Sequence, residues 1–209
     1  MRQVDNNAAI GVGALIIFIA MILVAGIAAS VIIQTINNLQ QQALITGEQT
    51  AKDISTGIRV THVSGHKSGS TLDLIAIYVR PTAGSGAIDL AYTYISLSNS
   101  DSQVILNYTS STYSSSISSG LFGTLDDTKI TASTFGVMEI RDIDNSSTSS
   151  SPVINDDDFV VLLVNTTQCF SGLSTRKEVN GRVIPEQGIS GVISFTTPSS
   201  FVDTIIELQ

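Results

Sequence analysis

Hydrophobic positions along this chain fall into two regimes. Between Asp5 and Glu48 no side chain is charged, and residues 9–33 (AIGVGALIIFIAMILVAGIAASVII) are almost wholly apolar. A helix rises about 1.5 Å per residue, so this run is long enough to cross a hydrocarbon layer of roughly 30 Å. Beyond Ile33 polar residues enter, yet Ile36, Leu39, Ala43, Gly47, Ala51 and Ile54 recur at spacings of three and four. That is the period of an amphipathic helix. Together the two stretches predict one rod over residues 9–55, hydrophobic all round at first, one-sided later, and about 70 Å long.

Gly11 and Gly13 stand at the start of the rod, and small residues recur four apart within it, Ala25 with Ala29 and Gly26 with Ser30. An interior glycine costs a helix about 1 kcal/mol relative to alanine, so a packing reason is expected. Small residues at this spacing let helix backbones approach closely, a form of association that needs no hydrophobic driving force. Gly11, Phe18, Gly26 and Ile33 are the residues expected to make helix–helix contacts. A single membrane anchor is the plainer alternative. The polar leader before the rod, residues 1–8 (MRQVDNNA), has a targeting pattern; the apolar run after it is too long for a secretory signal peptide. Cleavage is therefore expected near Ala8 or Ala9, leaving the apolar helix on the mature chain.

The rest of the chain, 56–209, reads as one β-rich domain. Candidate strands are 57–63, 72–80, 87–98, 102–109, 135–143, 158–166 and 191–197, separated by Gly, Ser, Asn and Asp. Short strands at this spacing indicate an antiparallel sandwich or barrel, here taken as an Ig-like sandwich. The fold class is α+β, a long N-terminal helix followed by that domain. Residues 201–209 suit either an edge strand or a short helix. Two segments rich in Ser and Thr, 108–120 and 145–152, are expected to be exposed loops.

Charge and chemistry narrow the function. A net charge of −8 leaves no basic surface for nucleic acid. Cys169 is the one cysteine, which rules out an internal disulfide and a Cys-based metal cluster; it reads as a small hydrophobe. His62 and His66 lie in a loop-like stretch with no acid at a useful spacing, and no nucleophile elbow, phosphate loop or zinc helix is present. No enzyme and no cofactor are expected. Asp156, Asp157 and Asp158 could bind calcium, but without a full ligand pattern they read as a turn before the strand that follows. Asn107, Asn145 and Asn165 each begin an N-glycosylation sequon, Asn165 at the end of an expected core strand.

The run AIGVGALIIFIAMILVAGIAASVIIQT, followed by LQQQALITGEQT, resembles the N-terminal region of archaeal flagellins, the subunits of the archaellum, whose first helix is of the type IV pilin kind. IYVRPTAGSGAIDL and VIPEQGISGVISFTTPSS add further echoes. The chain departs from the family where a basic residue and Gly usually precede the mature start, since it carries Asn6, Asn7 and Ala8. The resemblance implies a subunit that polymerises into a helical swimming filament, alone or with paralogous flagellins. It also implies a membrane-held precursor, a signal peptidase of the prepilin type, and an N-linked glycan. An adhesive pilus subunit and a membrane-anchored β-sandwich binding protein are the alternatives.

Overall fold

The computed structural model describes the backbone of residues 2–209 and the side chains of residues 9–209. The leader thus falls largely outside the described residues, which leave out Met1 and the side chains up to Ala8. Compactness divides the chain into residues 1–49 and 50–209.

The first unit is one helix. Helix α1 covers Arg2–Ser55, so its last turns belong to the second unit. It passes through Gly26 and Gly47 without interruption, and Thr35 Oγ1 returns a bond to Val31 O at 2.8 Å. At its C-terminal end Thr56 N still donates to Lys52 O, before Gly57 turns the chain into the first strand.

The second unit carries strands β1 (Ile58–Ser68), β2 (Thr71–Pro81), β3 (Ile88–Asp89), β4 (Tyr94–Ser98), β5 (Gln103–Ser114), β6 (Thr134–Arg141), β7 (Val153–Ile154), β8 (Phe159–Asn165), β9 (Glu178–Ile184), β10 (Gly191–Thr196) and β11 (Ile205–Glu207), with a short helix α2 (Thr166–Phe170) after β8. Nine strands form a single sheet in the order β10-β9-β4-β5-β6-β8-β2-β1-β11, and β3 pairs with β7 apart from it. All pairings are antiparallel except β5 with β6. Parallel neighbours need a crossover of a dozen residues or more, and here residues 115–133 supply it.

The sheet curls until its ends meet, which selects the barrel-like form over two facing sheets. Ile58 N donates to Ile189 O, Ile189 N to Thr56 O, and the Gln209 side chain accepts from Ser194 N at 2.9 Å. Alternating residues of every long strand fill the interior: Val63, Ile75, Ile77, Leu97, Leu106, Phe135, Leu162, Val183 and Ile193 are fully buried. A second apolar cluster lies on the opposite side of the sheet. There Leu121, Phe122, Leu125 and Ile130 of the crossover cover Leu74, Ala76, Met138, Val161 and Leu163.

Several expectations need correction. Residues 87–98 are not one strand: Asp89 accepts from Ala91 N, and a single 3-10 turn, Leu90–Tyr92, separates β3 from β4. The first Ser/Thr-rich segment is not all loop, because β5 runs to Ser114 with Thr112 buried and Tyr113 half-buried. Of the two readings of residues 201–209, the edge strand is the one that forms, Ser64 opposite Glu207. His62 and His66 sit within β1 and not in a loop; His66 Nδ1 lies 2.7 Å from Asp73 Oδ1 across the hairpin.

Candidate functional site

Along α1 the apolar side chains find no cover in their own chain. Ile10 is 71 % exposed, Phe18 62 % and Ile33 59 %, and the rest of the run from Val12 to Ile54 is similar. A helix that is hydrophobic all round belongs in a core or a membrane. Its span Ala9–Ser55 is long and apolar enough to cross a bilayer. Around its middle, Ile17, Ala20, Met21, Val24, Ala25 and Ala28 line a shallow apolar groove where small residues bring the surface close to the backbone.

The glycines sharpen this. A Cβ placed on Gly11, Gly13, Gly26 or Gly47 meets nothing within 4 Å. Several glycines of the β-domain are explained by their neighbours, a Cβ on Gly181 lying 2.4 Å from Ser96 O and one on Gly188 2.0 Å from Thr56 O, and Gly69, Gly84 and Gly120 by their positive φ. Each helical glycine costs about 1 kcal/mol, and among the described residues no contact offsets that cost.

In the β-domain the titratable groups serve structure. Tyr113 Oη donates to the buried Glu139, and Tyr108 Oη to Ser149 O at 2.7 Å. Burial pushes both phenols up to about 12, with the Glu139 carboxylate adding to it. Cys169 packs against the core half-buried, and burial raises its thiol to about 11, which suits an inert residue.

The three successive acids separate. Asp158 is buried and accepts from Ile143 N and Asn155 N, whereas Asp156 and Asp157 are exposed in the turn before β8. Asp158 instead joins Asp142 and Asp144, one carboxylate oxygen of each lying within 4.8 Å of the others. Such oxygens suit a hard cation. Hydrogen bonds from Asn155 and Ser146 hold Asp144 below the usual carboxylate range.

The sequons also part. Asn145 is exposed in a loop at φ 54°. Asn107 is exposed on β5, opposite Tyr94. Asn165 is buried: its Nδ2 donates to Asp127 O at 3.0 Å and its Oδ1 accepts from Gln168 N, capping α2. Its amide is thus engaged at both ends within the folded domain.

The family model for archaeal-type flagellin matches residues 8–195. The chain belongs to the archaeal-type flagellin family. Flagellin B2 of Methanocaldococcus jannaschii is 38 % identical over 98 % of this chain and 96 % of its own length. Flagellin B4 of Pyrococcus abyssi is 40 % identical over 98 % of this chain and 99 % of its own. A crystal structure of archaeal flagellin from M. jannaschii superposes with a TM-score of 0.67 at 35 % identity, over 74 % of this chain and 97 % of that one. The archaeal flagellum of Methanospirillum hungatei shares the fold, with a TM-score of 0.66 at 16 % identity over 94 % of this chain and 98 % of that one. This flagellin is a structural filament subunit and not an enzyme.

Proposed function

We propose that this flagellin is made as a membrane-held precursor, loses its leader near Ala8 or Ala9 to a signal peptidase of the prepilin type, and then packs rod against rod into the core of an extracellular helical filament for swimming. The observation that carries this is α1, uncharged between Asp5 and Glu48 and uncovered there, with glycines that no neighbour among the described residues explains. Moving such a helix from lipid into a bundle of its copies gains no hydrophobic free energy, so close packing has to hold the rods together. Gly11, Phe18, Gly26 and Ile33 make those contacts, with the β-domain as the outer layer. Copies of this chain, with or without paralogous flagellins, form the polymer. Asn145, free in its loop, carries the N-linked glycan.

Electron microscopy of material sheared from cells, with mass spectrometry of the N-terminal peptide, tests this reading. Thin filaments whose subunit begins at residue 8 or 9 are expected. A full-length monomer recovered only from detergent-solubilised membrane would overturn it in favour of an anchored binding protein.

A further inference from the structure

The outer side of the curled sheet is covered unevenly. Over β6, β8 and β2 the crossover lays Leu121, Phe122, Leu125 and Ile130 on the sheet. Over β10, β9, β4 and the first half of β5 the inward residues Ile193, Val183, Leu97 and Leu106 are buried, and the outward ones are exposed or half-buried with no segment laid over them. The register places them in rows. Val192, Arg182, Ser96 and Ile105 lie side by side across the four strands, flanked by Ser194, Asn180, Ser98 and Gln103 on one side and by Ile184, Tyr94 and Asn107 on the other.

Two features of this face select its occupant. Ile105 is 58 % exposed, Val192 57 % and Tyr94 40 %, and exposed apolar side chains rimmed by polar ones are where protein partners dock. Its charges are Arg182 and, at the edge opposite Thr196, Glu178, so the face is neutral on a chain of net charge −8. Identical acidic copies repel wherever their general surfaces meet, and a neutral face with apolar and hydroxyl side chains is where two of them approach without that penalty. We propose that the uncovered outer face of β4, β5, β9 and β10 is an interface between copies of this chain. The proposal rests on the filament reading and extends it from the rod to the β-domain. It also assigns the sequons: Asn107 stands on the covered face, so the assembled subunit carries no sugar there.

Thiol labelling tests it in the assembled protein. Ile105→Cys and Val192→Cys, each combined with Cys169→Ser, are produced in cells, and sheared filaments are treated with a maleimide before and after dissolution in detergent. Labelling in intact filaments is expected to slow by about tenfold or more, since access to a covered site waits on local opening. Filaments whose introduced thiols react as fast as in the dissolved chain overturn the interface while leaving the polymer intact; cells of the parent strain without filaments would remove the polymer reading itself. Should the variants fail to assemble, glycopeptide mapping of parental filaments decides: bare Asn107 supports the interface, and a glycan on Asn107 overturns it.

Discussion

Residue 26 separates the stability of the rod from the stability of the polymer, because the two should respond with opposite sign. In the chain by itself a Cβ there touches nothing within 4 Å. Gly26→Ala should therefore stabilise the isolated helix by about 0.8–1 kcal/mol, the propensity difference alone. If rods pack through Gly26 as proposed, the same methyl group enters a close backbone contact in the filament, and overpacking costs typically ~1–3 kcal/mol. The total to be overcome is larger. About twenty large apolar side chains from Ile10 to Ile54 are each 52 to 71 % exposed in the free chain. At ~1.5–3 kcal/mol apiece their removal from water is worth roughly 30–60 kcal/mol per subunit. One methyl group should then leave filaments that form but dissociate at lower temperature. Gly26→Trp should abolish them, because an indole holds neighbouring rods apart along their whole contact. Helicity of the detergent-solubilised full chain, followed by circular dichroism, reports the first effect; electron microscopy of sheared material reports the second. Wild-type filaments from Gly26→Trp would refute the reasoning, and so would lower helicity in Gly26→Ala.

Other perturbations report on the β-domain. Asp158→Ala leaves Ile143 N and Asn155 N without their buried acceptor, and should lower stability by about 2–4 kcal/mol in thermal unfolding of the solubilised chain. Tyr108 and Tyr113 titrate near 12 in the folded domain against 10.0 unfolded; a raised folded pKa stabilises fully below pH 10, so stability should fall as pH rises from about 10 to 12, and less steeply in Tyr113→Phe. Asn165→Ala should cost about 1 kcal/mol through the lost α2 cap without changing the glycan mass, whereas Asn145→Gln should remove glycan mass and lower the melting temperature slightly, since Asn suits the left-handed φ of 54° there better than Gln.

What the sequence made legible follows from how local the responsible physics is. The rod needs only the uncharged stretch before Glu48, and β2, β6, β8 and β10 need only runs of apolar β-formers. Strand β9 escaped because EVNGRVI looks polar, with Val179 and Val183 alone facing inward; Gly181 is there so that β9 can lie against Ser96 O, a constraint set by β4. Residues 108–114 looked like loop because their Ser and Thr are polar, but parallel pairing with β6, Tyr113 opposite Val137, makes them strand. His66 gained its acid from across a hairpin, and the acidic cluster drew Asp158 away from its sequence neighbours toward Asp142 and Asp144. In each case a partner distant in sequence decided the outcome.

The same reasoning, extended one level, is what makes a single chain informative about its polymer. Gly57, Gly181, Gly188 and Gly191 each have a neighbouring atom that a Cβ would strike at 3.0 Å or less, so tertiary structure accounts for them. Gly11, Gly13, Gly26 and Gly47 have none, although they weaken the helix that holds them. The sheet shows a parallel contrast, for one half of its outer side is roofed by the crossover and the other half is neutral, partly apolar and bare. A residue choice that costs stability and has no cause within the fold points to a cause between folds. On the proposed reading both such places, the glycines of α1 and the outward face of β4, β5, β9 and β10, are contacts with a second copy of the chain.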